Sequence, residues 1–426
     1  MSSSRLRRLG AVAVTAVMAY ASLAVPGAQG AAARGGGEAA GARCLDVSAA
    51  VTVEGRRLER AVPREILDRS GFDRARPAFV RELCRARSLP AAQRAVDRHA
   101  KALWRTAVDR ARDPRGGDDR PLYWARLSLD TALRQWRPGF AVSERERDGL
   151  LARLERSSRG QDSVAFPRGK KVKRILVTGF DPFTLDRDIR IGNPSGAAAL
   201  ALDGTTVRTK SGPARIETVV FPVRWRDFAE GTVERTLLPH FAPGPRRIDM
   251  FTTVSQGRPG RFDVERFNGA WRGGFADNEN AESTGTVPIP DGVPSPRPQP
   301  QWTVTSLPYG ALAGSETGRF PVLDNTEVTE IPAGGTEPVV RKDGPTPGSQ
   351  AREGGGGDYL SNEIAYRATL LRDALGLDVP GGHLHTPVLE FGEGNTDEIT
   401  DPDFERNRRD ITAQTRALVT RAAESS

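Results

Sequence analysis

Cysteine is almost absent from this chain of 426 residues, which has only Cys44 and Cys84, both near its start. Chemistry that depends on a thiol is therefore excluded from the rest of the sequence. In an exported protein the two cysteines can form one disulfide, and the alternative is a pair of unpaired buried thiols. Cysteine, histidine and carboxylate residues show no metal-ligand spacing, so neither a metal nor another cofactor is implied.

Long apolar runs are also scarce. The one clear run covers residues 9–25, follows three arginines within the first eight residues and precedes a stretch of small residues. This pattern is typical of a secretory signal peptide, which we predict over residues 1–30. A membrane anchor is the alternative, but the run is short and rich in alanine. We therefore expect a secreted, extracellular protein without stable membrane insertion.

No strong excess of one charge is present. Lysine and arginine number 62 and aspartate and glutamate 54, which gives a formal net charge of +8, with both signs mixed along the chain. No basic run is interleaved with aromatic residues, and no nucleic-acid-binding motif is found. The composition therefore does not indicate a nucleic-acid partner.

The distribution of apolar and polar residues along the sequence predicts two folded parts. Residues 40–156 have apolar residues at helical spacing, interrupted by prolines, and indicate a helical N-terminal module without a visible active site. Residues 157–171 are polar and are predicted to be a linker. From residue 172 to residue 426, strand patterns alternate with helix patterns, which predicts an α/β fold with a mostly parallel sheet.

In the second part, strands are predicted at 171–180, 216–222, 249–255 and 302–307, and helices at 194–202 and 227–238. Two stretches rich in proline, glycine and polar residues, 277–300 and 333–357, are predicted to be mobile surface loops.

Three side chains of the second part suggest nucleophilic catalysis. Ser361 begins a helical pattern after a glycine tract, His385 follows a strand pattern, and Glu265 supplies a carboxylate. A hydroxyl, an imidazole and a carboxylate in contact can act as nucleophile, base and orienting group. Each residue also has a structural explanation: Ser361 as a helix N-cap, Glu265 as a surface ion pair with Arg266, and His385 as a core residue. His383 is predicted to face the same side of its strand as His385.

A series of short motifs strengthens the catalytic interpretation. In chain order they are GFDPF at 179–183, NPS at 193–195, FPV at 221–223, VSQG at 254–257, ER at 265–266, DN at 277–278, SLP at 306–308, YLSN at 359–362 and LHTP at 384–387. From about residue 173 to the C-terminus, the chain resembles the pyroglutamyl peptidase I family, also called pyrrolidone-carboxylate peptidases.

The resemblance implies an α/β/α sandwich and an enzyme that removes N-terminal pyroglutamate from peptides with a Cys-His-Glu site. The family's glutamate falls on Glu265, its histidine on His385, and its nucleophilic cysteine on Ser361. The substrate-binding residues implied for the lactam are Phe180, Phe183, Gln256 and Tyr359, listed by their numbers here. We thus expect a hydrolase with a peptide substrate, or a relative that binds such peptides without cleaving them. The oligomeric state is unknown from the sequence.

One departure from the family pattern concerns the lead into the nucleophile. Four glycines, 354–357, stand where the family has small residues of lower flexibility. We expect this tract to hold the site loosely.

Overall fold

The computed structural model describes residues 44–113, 116–167 and 172–425. The predicted signal peptide lies outside these residues, as does the end of the predicted linker. Within the described ranges, no helix is both long and apolar enough to cross a membrane.

The N-terminal part is helical, as predicted. Its helices are α1 (Val53–Arg56), α2 (Ala61–Ser70), α3 (Ala75–Arg85), α4 (Leu89–Ala111), α5 (Arg120–Gln135) and α6 (Glu144–Ser158), with 3₁₀ turns at Arg57–Glu59 and Phe72–Arg74. Helix α4 buries one face because alanine, valine, leucine and tryptophan recur three or four residues apart. Helix α6 begins with a capping box, in which Ser143 and Glu146 each satisfy the other's backbone amide.

The two cysteines form a disulfide with a Cα–Cα distance of 5.8 Å. Cys44 lies at the start of the described chain and Cys84 near the end of α3, so the bond ties the N-terminal segment to the module. Next to it, Leu45 forms a β-bridge with Trp136.

The second part contains β1 (Lys173–Phe180), α7 (Pro194–Leu202), β2 (Thr206–Thr209), β3 (Gly212–Phe221), α8 (Trp225–Ala229), α9 (Thr232–Phe241), β4 (Met250–Gln256), β5 (Phe262–Glu265), β6 (Phe267–Gly269), β7 (Trp271–Gly273), β8 (Thr284–Thr286), β9 (Trp302–Val304), α10 (Tyr309–Leu312), β10 (Val322–Asn325), β11 (Val328–Ile331), β12 (Val339–Arg341), β13 (Gln350–Glu353), α11 (Leu360–Ala374), β14 (Gly381–Thr386) and α12 (Pro402–Glu424).

Among the described residues, seven strands form the main sheet, in the order β10-β5-β14-β4-β1-β3-β2. Strand β1 runs parallel to β3 and β4, β14 parallel to β4, and β10 parallel to β5. Only β14–β5 and β2–β3 are antiparallel pairs. The sheet is therefore mostly parallel, as predicted.

Helices cover both faces of this sheet. In β1, Ile175 and Val177 pack on the side of α7 and α12, whereas Leu176 packs on the side of α8, α9 and α11. Consecutive residues of a strand point to opposite faces, so an uninterrupted apolar strand is buried on both sides. The second part is thus an α/β/α sandwich, and the α/β fold class with an all-α N-terminal region is confirmed.

Two local predictions were wrong. Segment 333–357 is not an irregular loop, because β12 and β13 pair on either side of β11 in a small antiparallel sheet. Its strands are only three and four residues long, too short to show hydrophobic alternation: β12 has two exposed valines, and β13 is mostly polar. Segment 227–238 is not one helix, since Gly231 adopts a positive φ of 80° and separates α8 from α9.

The predicted strand at 302–307 forms only as β9, which pairs with β6 outside the main sheet. The first residues of the predicted linker, Ser157 and Ser158, complete α6 and are buried, as is the next residue, Arg159.

Candidate active site

Two neighbouring antiparallel strands bring a carboxylate to an imidazole. In the β14–β5 ladder, Glu265 lies opposite His383 and Asp263 opposite His385, so all four side chains share one face. Glu265 Oε1 lies 2.7 Å from His385 Nδ1, and both side chains are buried. An ionised carboxylate at this distance accepts the Nδ1 proton, which leaves Nε2 of a neutral His385 as a proton acceptor.

The second oxygen of Glu265 is also held. Asn325, at the end of β10, donates through Nδ2 to Glu265 Oε2 over 2.7 Å and to the carbonyl of Gly355 over 3.1 Å. One amide therefore fixes both the carboxylate and the glycine tract. No sequence pattern points to Asn325, because its contact with Glu265 depends on the pairing of β10 with β5, which is a long-range contact.

The glycine tract is tightly packed, and the expectation of a loosely held lead-in was wrong. Gly354 and Gly357 exchange two backbone hydrogen bonds of 2.9 Å, and the Gly355 amide donates to Phe267 O over 2.8 Å. A Cβ on Gly354 would lie 2.1 Å from Asn362 Oδ1, and one on Gly355 would lie 2.1 Å from Glu265 Oε2. Glycine is needed in this tract for close approach rather than for flexibility.

Ser361 lies in the first turn of α11, but it is not the N-cap. The N-cap is Tyr359, and it makes no side-chain capping bond. The Ser361 hydroxyl instead donates to the carbonyl of Gly356 over 3.0 Å. The next residue, Asn362, is fully buried and clamps the helix start to β6 through two bonds of 2.8 Å with Gly269.

Gly356 lies between the proposed nucleophile and the proposed base. Its carbonyl receives the Ser361 hydroxyl, and a Cβ on it would lie 3.2 Å from His385 Cε1. Within the described part of the chain, Ser361 and His385 share no hydrogen bond. The structure thus joins Glu265 to His385 directly and places Ser361 across one glycine from the imidazole.

A small cavity of about 40 Å³ opens beside Ser361. This volume suits a few water molecules or one small flat group. Its lining contains Ser361 and all four predicted substrate-binding residues, and no charged side chain; the lining residues are Phe180, Phe183, Asn193, Val223, Ser255, Gln256, Tyr359, Leu360 and Ser361. Gln256 Oε1 is buried and has no hydrogen-bond partner among the described residues.

Aromatic rings make up much of the cavity wall. Phe180 is buried and stacks on Phe228 at 6.0 Å, and Phe183 lies 6.1 Å from the ring of Tyr359. Tyr359 donates its hydroxyl proton to Ala276 O over 3.1 Å. Burial raises the pKa of Tyr359, so this phenol stays neutral.

The surface ion pair that was the structural alternative for Glu265 is not observed, whereas His385 is buried, as its structural alternative also implies. Arg266 pairs with Asp324 at 3.0 Å rather than with Glu265. His383 shares the face of His385, with ring centroids 4.7 Å apart. Burial, and secondarily repulsion from His385 when that imidazole is protonated, lowers the pKa of His383 well below its usual value, so His383 is neutral.

The helical module braces the loop that carries the two cavity phenylalanines. Asp181, between them, forms buried ion pairs of 2.7 Å with Arg126 of α5 and Arg159. Asp119 of the module accepts a hydrogen bond of 2.9 Å from the backbone amide of Asn193, which lines the cavity. Burial, with the charge of neighbouring Asp118, raises the pKa of Asp119 to about 8. These contacts cross between the two parts of the chain and were not foreseen from the sequence.

Module and sandwich also meet at an ion pair between the buried Arg57 and a half-exposed carboxylate. Asp186 binds Arg57 at 2.6 Å while its side chain stays half exposed. The hydrogen bond from Arg57 is the main reason that the pKa of Asp186 falls to about 2.

Fold and site together define an α/β/α protein with a histidine–carboxylate pair beside a small aromatic cavity, and with a helical module at the back of that cavity. The family model for the PA0049 N-terminal domain matches residues 32–155, and that for the PA0049 C-terminal domain matches residues 174–296 and 308–390. The chain is 33% identical to protein PA0049 of Pseudomonas aeruginosa, over 94% of this chain and 95% of that protein. It belongs to the PA0049 family.

Solved structures with some similarity to this chain include two pyrrolidone carboxyl peptidases. The Thermococcus litoralis enzyme is 15% identical, with a TM-score of 0.38, over 60% of this chain and 97% of that one. The Pyrococcus furiosus enzyme is 20% identical, with a TM-score of 0.35, over 57% of this chain and 98% of that one.

Proposed function

We propose that this protein is a secreted hydrolase that removes N-terminal pyroglutamate from peptides through an acyl-enzyme on Ser361. The observation that carries the proposal is the 2.7 Å bond from Glu265 to His385 Nδ1, close to a cavity whose lining contains Ser361. Secretion is supported by the N-terminal sequence alone.

In this mechanism His385 is the general base. Nε2 accepts the Ser361 proton as the hydroxyl oxygen attacks the scissile carbonyl, and Glu265 stabilises the imidazolium that forms. The imidazolium then donates this proton to the departing amine. In the second half, His385 takes a proton from a water molecule that attacks the acyl-enzyme, and returns a proton to Ser361 as pyroglutamate leaves. The resting hydroxyl bonds to Gly356 O, so a rotation about the side-chain bond precedes attack. Backbone amides in the first turn of α11 supply donors for the oxyanion.

The cavity favours a small, flat and neutral N-terminal group. Phe180, Phe183 and Tyr359 supply aromatic surface for the faces of a lactam ring, and Gln256 supplies a polar group for its edge. An ordinary N-terminus carries an ammonium charge, and the lining has no carboxylate to compensate for its desolvation. Pyroglutamate has no such charge because its nitrogen is part of the lactam.

A binding protein that does not cleave its peptide is the second candidate. Two observations favour it: a hydroxyl replaces the thiol expected from the family pattern, and that hydroxyl is engaged with Gly356. A serine hydroxyl is not ionised near neutral pH, whereas a cysteine beside a histidine readily is.

The test compares wild type, Ser361→Ala and Ser361→Cys on a pyroglutamyl-aminocoumarin substrate, with alanyl-aminocoumarin as the charged control. Turnover by wild type that is lost in Ser361→Ala, with no cleavage of the alanyl substrate, supports the hydrolase. Activity only in Ser361→Cys, with binding by wild type, supports the binding protein. Absence of both binding and turnover in wild type and Ser361→Cys contradicts both candidates.

A further inference from the structure

A hydrogen-bonded series of three side chains, Thr253, His383 and Ser255, leads from the interior to the cavity. The mechanism above does not use it. His383 is fully buried. Its Nδ1 lies 2.7 Å from Thr253 Oγ1, and its Nε2 lies 2.7 Å from Ser255 Oγ. Of these three residues, Ser255 lines the cavity.

The direction of these hydrogen bonds follows from counting protons. A neutral imidazole has one N–H, and a hydroxyl donates one proton. The tautomer that uses every one of these contacts has Thr253 Oγ1 donating its proton to Gly382 O over 3.2 Å and accepting the proton of His383 Nδ1 over 2.7 Å. His383 Nε2 then carries no proton and must receive one from Ser255.

On the side that does not face His383, Ser255 Oγ therefore has lone pairs and no proton. Its single proton is bound by His383 Nε2, whose own tautomer is fixed by Thr253. A serine hydroxyl usually rotates to suit either a donor or an acceptor. Here the bond to the buried imidazole prevents this rotation, so Ser255 Oγ acts toward the cavity as a hydrogen-bond acceptor.

We propose that Ser255 is a specificity-determining residue that accepts the ring N–H of a lactam, and that His383 and Thr253 are positioning residues for it. The inference rests on the proposed function, because it assigns the recognition of that substrate class. A lactone has the same ring size and carbonyl, but its ring oxygen would place lone pairs against those of Ser255. A site that binds an N–H group rejects the analogue without it, because its own polar atom then stays unpaired.

The experiment uses a matched pair of ligands that have no scissile bond. Pyroglutaminol carries the lactam and 5-(hydroxymethyl)-γ-butyrolactone the lactone, and both are titrated by ligand-observed NMR. The proteins are wild type, Ser255→Ala and Thr253→Val. Thr252→Val is the control, because Thr252 lies on the opposite face of the same strand, is equally buried and has an unpartnered hydroxyl.

We expect wild type and Thr252→Val to bind the lactam at least about tenfold more tightly than the lactone, which corresponds to one neutral hydrogen bond. Ser255→Ala brings this ratio close to one, and Thr253→Val lowers it because Nδ1 loses its acceptor. Unfolding curves for each variant establish that it is folded.

The inference is overturned if Ser255→Ala keeps the wild-type ratio, or if wild type prefers the lactone, which would mean that Ser255 donates into the cavity. In either case the lactam pocket of the proposed function survives. If wild type binds neither ligand, the proposed function itself fails and the inference fails with it.

Discussion

Replacing Gly355 with alanine tests whether the glycine tract holds the carboxylate of Glu265 in the position that the proposed mechanism requires. The added Cβ would lie 2.1 Å from Glu265 Oε2 and 3.4 Å from Asn325 Nδ2, whereas real Cβ contacts are essentially never closer than 3.0 Å. The carboxylate or the loop must therefore move by about 1 Å. A misplacement of this size near a reacting group costs about 100-fold in rate, or about 2.7 kcal/mol of transition-state stabilisation.

The control for this variant is Gly357→Ala in the same tract. Gly357 has a φ of 80°, but a Cβ there would meet no atom within 4 Å. Its substitution costs about 1–2 kcal/mol of backbone strain without pushing on Glu265. We compare kcat/KM on pyroglutamyl-aminocoumarin with the free energy of unfolding, in whichever of wild type and Ser361→Cys turns over. Equal activity losses in the two variants, or full activity in Gly355→Ala, would refute the reasoning.

Three further predictions concern the module and its contacts. Asp181→Ala removes the carboxylate that pairs with the buried guanidinium groups of Arg126 and Arg159, of which Arg159 keeps Glu155 as a partner, and lowers the free energy of unfolding by about 3–5 kcal/mol. Asp186→Ala removes a half-exposed carboxylate from the buried Arg57, which keeps its hydrogen bond to Asn278 O, and lowers it by about 1 kcal/mol because water can replace that carboxylate; equal losses in urea titrations would contradict this. Because the pKa of Asp119 rises to about 8 on folding, the native state holds a proton that the unfolded state has released, and this residue reduces stability by about 1.4 kcal/mol per pH unit between pH 4 and pH 8. Asp119→Asn therefore gains stability over wild type as pH rises through that window, and a constant difference would contradict the assignment. Replacing Cys44 and Cys84 by serine opens a loop with a sequence separation of 40 and costs about 4 kcal/mol; a reductant should destabilise wild type by the same amount and leave the variant unchanged.

The parts of the fold that follow local patterns could be predicted from the sequence. The helical module and the strand at 173–180 have strong periodicity or long apolar runs, and helix α7 has Pro194 in its first turn. Short polar strands such as β13 could not be predicted, since their pairing rather than their composition makes them strands.

The candidate site divides in the same way. Motif order predicted Glu265, Ser361 and His385, and the structure places the first and third in contact. Asn325 and Ser255 depend on which strands lie side by side, which no local pattern shows. The assignment of catalytic and substrate-binding roles to these residues stays a prediction.

The glycine tract shows why composition can mislead. Glycine is flexible in an unfolded chain, but in Gly354–Gly357 its missing side chain allows the backbone to pack against Asn362, Glu265 and His385. In the folded protein, glycine thus allows this tract to be tightly packed and rigid.

The central claim is that Ser361 is a nucleophile activated by His385 beside a lactam pocket. The most direct measurement is the intact mass of wild-type protein quenched in acid after brief exposure to p-nitrophenyl pyroglutamate, followed by peptide mapping. We predict one added pyroglutamyl group on Ser361, absent from Ser361→Ala and strongly reduced in His385→Ala. An adduct elsewhere in the chain, or none on wild type when Ser361→Cys is labelled, would contradict the claim.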